Sequence, residues 1–221
     1  MKRLGLLLLA ITLMLGGNAF AQNVGDNSVY FVIYYSNANT AGAPDATLRI
    51  VNDGSGYATD GTFANSAPVG VAGGILNAAI YVFDDSQELR SCCACPITPD
   101  GLLSESVNKE LTSDTFTGRG EISRGVIKVL SSPFNDPTVN DKVLPGLRGW
   151  MTHVQATSTT FSSGLKSNAV EKGPWFVTED PLADSNLSQT EENNLGALCS
   201  YGLTLGSGYG ACPCTLEDYD F

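Results

Sequence analysis

Six cysteines in two tight clusters constrain this chain more than any other feature of its sequence. The first cluster is Cys92-Cys93-Ala94-Cys95, and the second consists of Cys199 followed by Cys212-Pro213-Cys214. Three cysteines near the middle of the chain thus face three near its end, which is the arrangement that inter-segment disulfides would produce. We therefore expect a fold that brings these two segments together.

The first residues have the pattern of a secretory signal peptide. Lys2 and Arg3 give a positive start, residues 4–15 are mostly apolar but too short to span a bilayer, and Ala19-Phe20-Ala21 has the small-x-small cleavage pattern. We expect residues 1–21 to be removed, which leaves 22–221 as a single disulfide-stabilised domain. A retained N-terminal anchor is the alternative. No other stretch is long and apolar enough to cross a membrane.

Export would place the cysteines in an oxidising compartment, where disulfides form and persist. The sequence does not choose among the possible pairings of six cysteines. A second interpretation is a zinc or soft-metal site, because closely spaced thiolates can converge on one ion. A redox role is less favoured, since the spacing is C-x-C and not C-x-x-C. We predict structural disulfides at Cys92, Cys93, Cys95, Cys199, Cys212 and Cys214, with no cofactor.

Net charge and histidine content exclude several functions. The chain carries a formal net charge of −11 without an offsetting cluster of Lys or Arg, so it repels nucleic acid and anionic lipid. Its single histidine, His153, rules out a zinc site built from two or three histidines. Any Ser-His-Asp or Cys-His mechanism would have to use that residue, and no G-x-S-x-G motif accompanies it.

Short segments rich in Val, Ile, Tyr and Phe alternate with turn residues, which is typical of a β protein. The predicted strands span 29–35, 46–51, 76–83, 125–130, 147–154 and a short last strand at 175–177. The first is continuously apolar and is predicted to be buried on both faces, and the second alternates as a half-exposed strand does. Loops are predicted at 55–74, 132–141 and 157–173, the first of them long and mobile. The fold class expected is mainly β, an antiparallel β-sandwich with one C-terminal helix stapled to it.

That helix is predicted from a capping box. In Ser188-Gln189-Thr190-Glu191 the Ser hydroxyl can accept a hydrogen bond from the Glu N–H while the Glu side chain reaches back. Leu195, Leu198 and then Tyr201 or Gly202 follow at helical spacing and predict the apolar stripe. Cys199 would lie near this stripe.

Two groups of side chains are candidate ligand sites. Asp53 and Asp60 in one loop, and Asp136 and Asp141 in another, offer oxygen atoms of the kind that calcium accepts. They do not follow the EF-hand pattern, and Asp residues in turns also bond their own backbone.

The aromatic residues Tyr34, Tyr35, Trp150 and Trp175 could form a ligand platform. Core packing is the favoured interpretation for them, because aromatic side chains bury large apolar areas.

Parts of the chain resemble uncharacterised secreted bacterial proteins with the same CCxC…C…CxC pattern. The matching stretches are Tyr81–Leu89, Cys92–Leu102, Leu187–Glu191, Leu195–Cys199 and Gly206–Cys214. They cover about half of the mature chain. The resemblance implies export and the cysteine pattern, and it assigns no catalytic residue.

We therefore expect a non-enzymatic structural or adhesive protein that is secreted into the periplasm, to the cell surface or outside the cell. Its partner would be a second copy of itself or an extracellular surface component. In the self-assembling version, the strand at 29–35 pairs with the sheet edge of a neighbour. The alternatives are an extracellular module that binds carbohydrate or calcium, and then a secreted hydrolase that uses His153 or a carboxylate pair.

Overall fold

A computed structural model describes residues 29–54, 74–117, 122–139, 142–158, 172–206 and 208–214. The predicted signal peptide, nearly all of the predicted loop at 55–74 and most of that at 157–173 lie outside these ranges. So do the calcium candidates Asp60 and Asp141.

The described residues form two antiparallel sheets of four strands. The elements are β1 (Tyr30–Ser36), β2 (Thr47–Asn52), β3 (Leu76–Asp84), β4 (Leu89–Ile97), β5 (Leu102–Ser106), β6 (Arg124–Ser132), β7 (Leu147–Ser158), β8 (Lys172–Pro181) and α1 (Gln189–Leu205). Sheet A has the order β1–β6–β3–β4, and sheet B has the order β5–β2–β7–β8. A π-helical turn, Val107–Leu111, follows β5. The predicted fold class, mainly β with antiparallel sheets and a C-terminal helix, is confirmed.

The main core lies between the two sheets and is built by strand alternation. Leu48 and Ile50 of β2 point inward while their neighbours in the strand are half-exposed. From the opposite sheet, Ile80 and Val82 of β3 enter the same cluster. Because side chains alternate along a strand, each sheet sends every second residue into this layer.

A second core covers the outer face of sheet A. Tyr81 of β3 and Tyr30 of β1 pack there with Leu195 and Cys199 of α1. This layer explains why β3 is an almost continuous apolar run: one of its faces meets sheet B and the other meets the helix layer. In the described ranges, no helix has the length and hydropathy needed to cross a bilayer.

Strand β1 is an edge strand of sheet A that pairs with β6 over its whole length. Near its start, the other edge is also occupied, because Phe31 bridges to Asp184 and the N–H of Ser185 donates to the carbonyl of Tyr30 at 2.9 Å. The prediction that this segment is buried on both faces is wrong at Tyr34, which is 50% exposed beside the edge.

Two strands were not predicted, and two others are longer than predicted. The first cysteine cluster lies within a strand, β4, that the sequence pattern did not indicate, and β5 was also missed. The short last strand predicted at 175–177 extends over ten residues as β8, and β7 is longer than expected. The two long strands hydrogen-bond to each other, so the hairpin extends through Pro174 and Gly173, which β-propensity disfavours.

Helix α1 begins as the capping box predicts, but only half of that motif forms. The Ser188 hydroxyl accepts from the Glu191 N–H at 3.1 Å. The predicted return of the Glu191 side chain to the cap is wrong, because its carboxylate instead accepts hydrogen bonds from Tyr30 and Lys128 of sheet A.

The buried face of α1 also differs from the expected stripe. Leu195 and Cys199 are buried as predicted, whereas Leu198 and Tyr201 are exposed. The disulfide from Cys199 to sheet A fixes the rotation of the helix about its axis. With Cys199 facing the sheet, Leu198 and Tyr201 point to solvent.

The ring of Phe116 sits in a cradle of three glycines that joins α1 to residues 208–214, which we call the C-terminal segment. A Cβ atom at Gly202 would lie 2.6 Å from this ring, one at Gly206 3.1 Å and one at Gly210 only 2.0 Å. The Phe116 N–H also donates to the carbonyl of Arg90 at 2.8 Å, at the edge of β4. Packing against this ring therefore requires glycine at 202 and 210, whereas a Cβ atom at Gly206 would first meet the carbonyl of Tyr209, at 2.6 Å.

Replacing Gly210 by Ala should destabilise the fold by about 2–4 kcal/mol, because the methyl group meets the Phe116 ring and the backbone has a φ of +85°. Gly208→Ala is the matched control: its φ is +94°, but no heavy atom lies within 4 Å of the added methyl group. We expect the control to lose only about 1 kcal/mol. Urea unfolding of the oxidised proteins measures both, and equal losses would contradict the packing role of the cradle.

Candidate functional site

The six predicted cysteines form three disulfides between the two clusters, as expected. Cys92 bonds to Cys199 of α1, Cys93 to Cys212 and Cys95 to Cys214. They close loops of 107 to 119 residues. In the chain-entropy model a loop of this size is worth about 4–5 kcal/mol.

The pairing follows from alternation along β4. Cys93 and Cys95 point into the core between the sheets, and Cys92 points to the opposite face, where α1 lies. The C-terminal segment runs parallel to β4, with a bridge between Cys92 and Ala211. Two C-x-C segments therefore lie side by side in parallel, so that Cys93 bonds to Cys212 and Cys95 to Cys214. The remaining cysteine of each cluster forms the Cys92–Cys199 disulfide between β4 and α1.

The Cys93–Cys212 and Cys95–Cys214 disulfides lie against each other. The Cys93 and Cys95 sulfur atoms are 3.8 Å apart, and the sulfur atoms of Cys93, Cys95 and Cys214 are all within 4.8 Å of one another. Three of these four cysteines are buried, and Cys214 is partly exposed. We call Cys93, Cys95, Cys212 and Cys214 the four-sulfur cluster. In the described chain it is fully oxidised, and no described cysteine is free.

A polar clasp holds the other end of α1 on sheet A. The Glu191 carboxylate accepts hydrogen bonds from the Tyr30 hydroxyl at 3.0 Å and from the Lys128 ammonium group. Lys128 also lies over the ring of Phe83, 4.7 Å from its centroid. Burial first, and then the charge and hydrogen bond of Glu191, raise the pKa of Tyr30 above its ordinary value. Glu191 thus links the helix to two strands, β1 and β6.

The same contacts lower the pKa of Glu191. Burial alone would raise it, but the hydrogen bond and positive charge of Lys128 and the hydrogen bond of Tyr30 outweigh burial and hold it below its ordinary value of 4.5. A carboxyl group whose pKa is lower in the folded state stabilises the fold above its unfolded pKa. That contribution is lost as the pH falls through the folded pKa.

We therefore expect Glu191→Gln to lower the melting temperature at pH 7 while flattening the loss of stability below about pH 4.5. Thermal unfolding from pH 7 down to pH 2 measures this. Glu179→Gln is the control, because its ion pair with Arg49 lies on the exposed surface of sheet B and should contribute little. An unchanged acid limb in Glu191→Gln would show that the clasp does not stabilise the helix.

His153 is buried, with 3% of its surface exposed, and stacks on Tyr34 with ring centroids 4.4 Å apart. Its Nε2 lies 3.5 Å from a carboxylate oxygen of Asp180, and its Nδ1 has no hydrogen-bond partner among the described residues. No described hydroxyl or thiol group hydrogen-bonds to the ring. The arrangement links β1 to the β7–β8 hairpin, and the part of the chain that the structure describes places no paired nucleophile of the Ser-His type beside the ring.

The two described calcium candidates have other partners. Asp53 forms an ion pair with Arg148, with 3.2 Å between its carboxylate and Nε. The carboxylate of Asp136 accepts from the N–H and the hydroxyl of Thr138, two residues further on. This is the local turn bonding that competes with the calcium interpretation. Calcium binding in these loops stays a prediction.

The four candidate platform aromatics are not brought together on one surface. Tyr35 is fully buried, and its hydroxyl donates to the carbonyl of Phe83. Trp175 is partly buried against the main core, and Tyr34 covers His153. Trp150, at 41% exposure, stands on the outer face of sheet B. Of the four, Trp150 is therefore the one exposed on the outer face of sheet B, whereas the exposed ring of Tyr34 is stacked on His153 at the edge of sheet A.

We call the outward-facing side of sheet B the open face. Across the four strands, one row of neighbours runs Ser104, Arg49, Trp150 and Pro181. The adjacent rows are Leu102, Val51 and Arg148 on one side, and Thr152 with Glu179 on the other.

Ion pairs balance the charges of the open face. Arg49 contacts Glu179 at 2.6 Å and lies 3.4 Å from the Thr152 hydroxyl. Arg148 pairs with Asp53. Trp150 is thus surrounded by hydrogen-bonding groups whose charges largely cancel. In the sequence, this face was indicated by the alternation in β2, where Thr47, Arg49 and Val51 are predicted to point outward. The alternation does not show which strands lie beside β2.

Comparison of the chain with protein-family models, with curated proteins and with solved structures gives no match. The candidate sites therefore rest on the chemistry of their own residues.

Proposed function

We propose that this chain is an exported, non-enzymatic protein of the cell exterior that adheres to a surface component through the open face of sheet B. The observation that carries the proposal is the exposed indole of Trp150 in the middle of that face. The three disulfides support an oxidising location, and export with cleavage after Ala21 is part of the proposal.

A neutral saccharide is the partner whose chemistry suits this face. The ring face of an indole is electron-rich and packs against the C–H groups on one side of a pyranose. Arg49 lies beside Trp150 in the same row, and Thr152 and Glu179 lie in the next row. These three side chains can donate to or accept from sugar hydroxyl groups. An anionic polymer is disfavoured because the chain as a whole carries a net charge of −11.

Trp150→Ala should weaken retention of the protein on immobilised neutral polysaccharides by about tenfold or more, the effect expected when a central aromatic contact is removed. Affinity electrophoresis in gels that contain a neutral glucan, a galactan or a mannan measures this. Tyr201→Ala is the control, since Tyr201 is exposed on α1, which packs on the opposite sheet. The proposal would be refuted if none of the three polysaccharides retards the wild-type protein. It would also be refuted if Trp150→Ala is retarded as strongly as the wild type.

A second candidate, self-assembly by strand pairing, is favoured by one observation on β8. This strand forms an edge of sheet B, and its residues Phe176 and Val177 are 56% and 49% exposed. Among the described residues, none hydrogen-bonds to the outer side of Phe176–Asp180. Pro181 and the charged residues Glu179 and Asp180 oppose strand pairing at the end of β8. An added strand would therefore pair with the residues around Phe176 and Val177. The predicted partner strand, β1, already has neighbours on both sides at its start.

If β8 is the assembly edge, the oxidised protein should associate as its concentration rises, and Phe176→Lys should restore the monomer because a charge on an edge strand opposes pairing. Light scattering coupled to size exclusion gives the mass at each concentration. Tyr201→Lys adds the same charge on α1 and should leave association unchanged. A wild-type protein that is monomeric throughout would exclude this candidate.

A further inference from the structure

Three sulfur atoms of the four-sulfur cluster, those of Cys93, Cys95 and Cys214, lie nearly as close together as the ligands of a tetrathiolate metal site. In a regular tetrahedral zinc site with Zn–S bonds of about 2.3 Å, neighbouring sulfur atoms are about 3.8 Å apart. The Cys93 and Cys95 sulfur atoms are 3.8 Å apart, and those of Cys93, Cys95 and Cys214 all lie within 4.8 Å of one another. Cys212 is bonded to Cys93 and so adjoins the same group.

The two segments that carry these sulfur atoms are held together by contacts other than the two disulfides. The N–H of Cys92 donates to the carbonyl of Gly210 at 2.9 Å, which docks the C-terminal segment on the edge of β4. The glycine cradle around Phe116 and the Cys92–Cys199 disulfide fix the helix that precedes this segment. Opening the two disulfides therefore leaves β4 and the C-terminal segment side by side.

The four cysteines of the cluster differ in their exposure to solvent. Cys95 is fully buried and Cys93 and Cys212 nearly so, whereas Cys214 is partly exposed. A reductant or an ion would reach the cluster from the side of Cys214. Once the ion is bound, the three buried ligands would be shielded from solvent and from oxidants.

We propose that, when the Cys93–Cys212 and Cys95–Cys214 disulfides are reduced, the four-sulfur cluster binds one thiophilic divalent cation such as Zn²⁺. Each disulfide takes up two electrons and two protons from a dithiol, which becomes a disulfide in turn. The four thiols then release four protons as their thiolates coordinate the cation. The same two segments are thus joined either by two covalent bonds or by one ion, and the two states exclude each other. This inference is independent of the proposed function.

Cadmium titration of the full chain tests the proposal, after reduction under native conditions to four free thiols per chain with the Cys92–Cys199 disulfide intact. A water-soluble phosphine is the reductant, because it adds no competing thiol. For each disulfide reduced, one phosphine takes the oxygen atom of one water molecule and becomes the phosphine oxide. Reduced wild type should bind one Cd²⁺ per chain, with the ultraviolet absorption of cadmium thiolate and the release of about four protons. Zn²⁺ should displace it. The oxidised protein should show none of these signals.

The variant Cys95→Ser with Cys214→Ser is the matched control, because it removes two of the four ligands and leaves the cysteines of the other two disulfides. Under the same reduction it should bind cadmium at least about a hundredfold more weakly. Near-ultraviolet circular dichroism separates a folded site from binding by an unfolded chain. If reduction unfolds the wild type, the cation should restore its spectrum. Equal binding by wild type and variant, or binding without a folded spectrum, would overturn the proposal.

Discussion

The alternation of side chains along β4 is the constraint on which the rest of the structure depends. Because neighbouring residues of a strand point to opposite faces, Cys92 and Cys93 cannot serve the same layer. Cys92 reaches outward to Cys199 and fixes α1 on sheet A, whereas Cys93 and Cys95 reach inward to the C-terminal segment. One short strand therefore joins three parts of the molecule covalently.

The three disulfides also make the two sheets differ in how much of their surface is covered. Sheet A carries α1 on its outer face, and its edge strand β4 is occupied by the C-terminal segment through the Cys92–Gly210 hydrogen bond. Sheet B keeps an outer face with Trp150 exposed between ion pairs, and its edge strand β8 is largely exposed. Among the described residues, the sheet face and strand edge that remain exposed are thus those of sheet B, since the corresponding surfaces of sheet A are used internally.

Sequence patterns predicted the elements whose local signals agree with their final environment. β2 alternates because one of its faces is buried, and β3 is continuously apolar because both are. The Ser188 cap marked the start of α1. β4 was missed because Cys, Ser and Pro are poor strand signals, and its pairing depends on β3 and on the disulfides. The length of β8 was missed because its residues are stabilised by β7 rather than by their own propensity.

Candidate sites were harder to predict than strands, because a site depends on residues from several strands. Trp150 was recognised as an aromatic candidate, but its neighbours Arg49 and Glu179 come from strands that are distant in sequence. The carboxylate of Glu191 was assigned to its own helix cap, and it binds sheet A because Lys128 and Tyr30 offer a stronger partner there.

By itself the sequence determined a β-rich chain with one capped C-terminal helix and two cysteine clusters able to join, since these depend on local propensity and on residue identity. The tertiary structure alone decided which cysteines pair, which face of α1 is buried and which sheet remains open. The physical reason is that strand neighbours are set by long-range hydrogen bonds and packing. A local pattern states which residues share a face, but not what lies against that face.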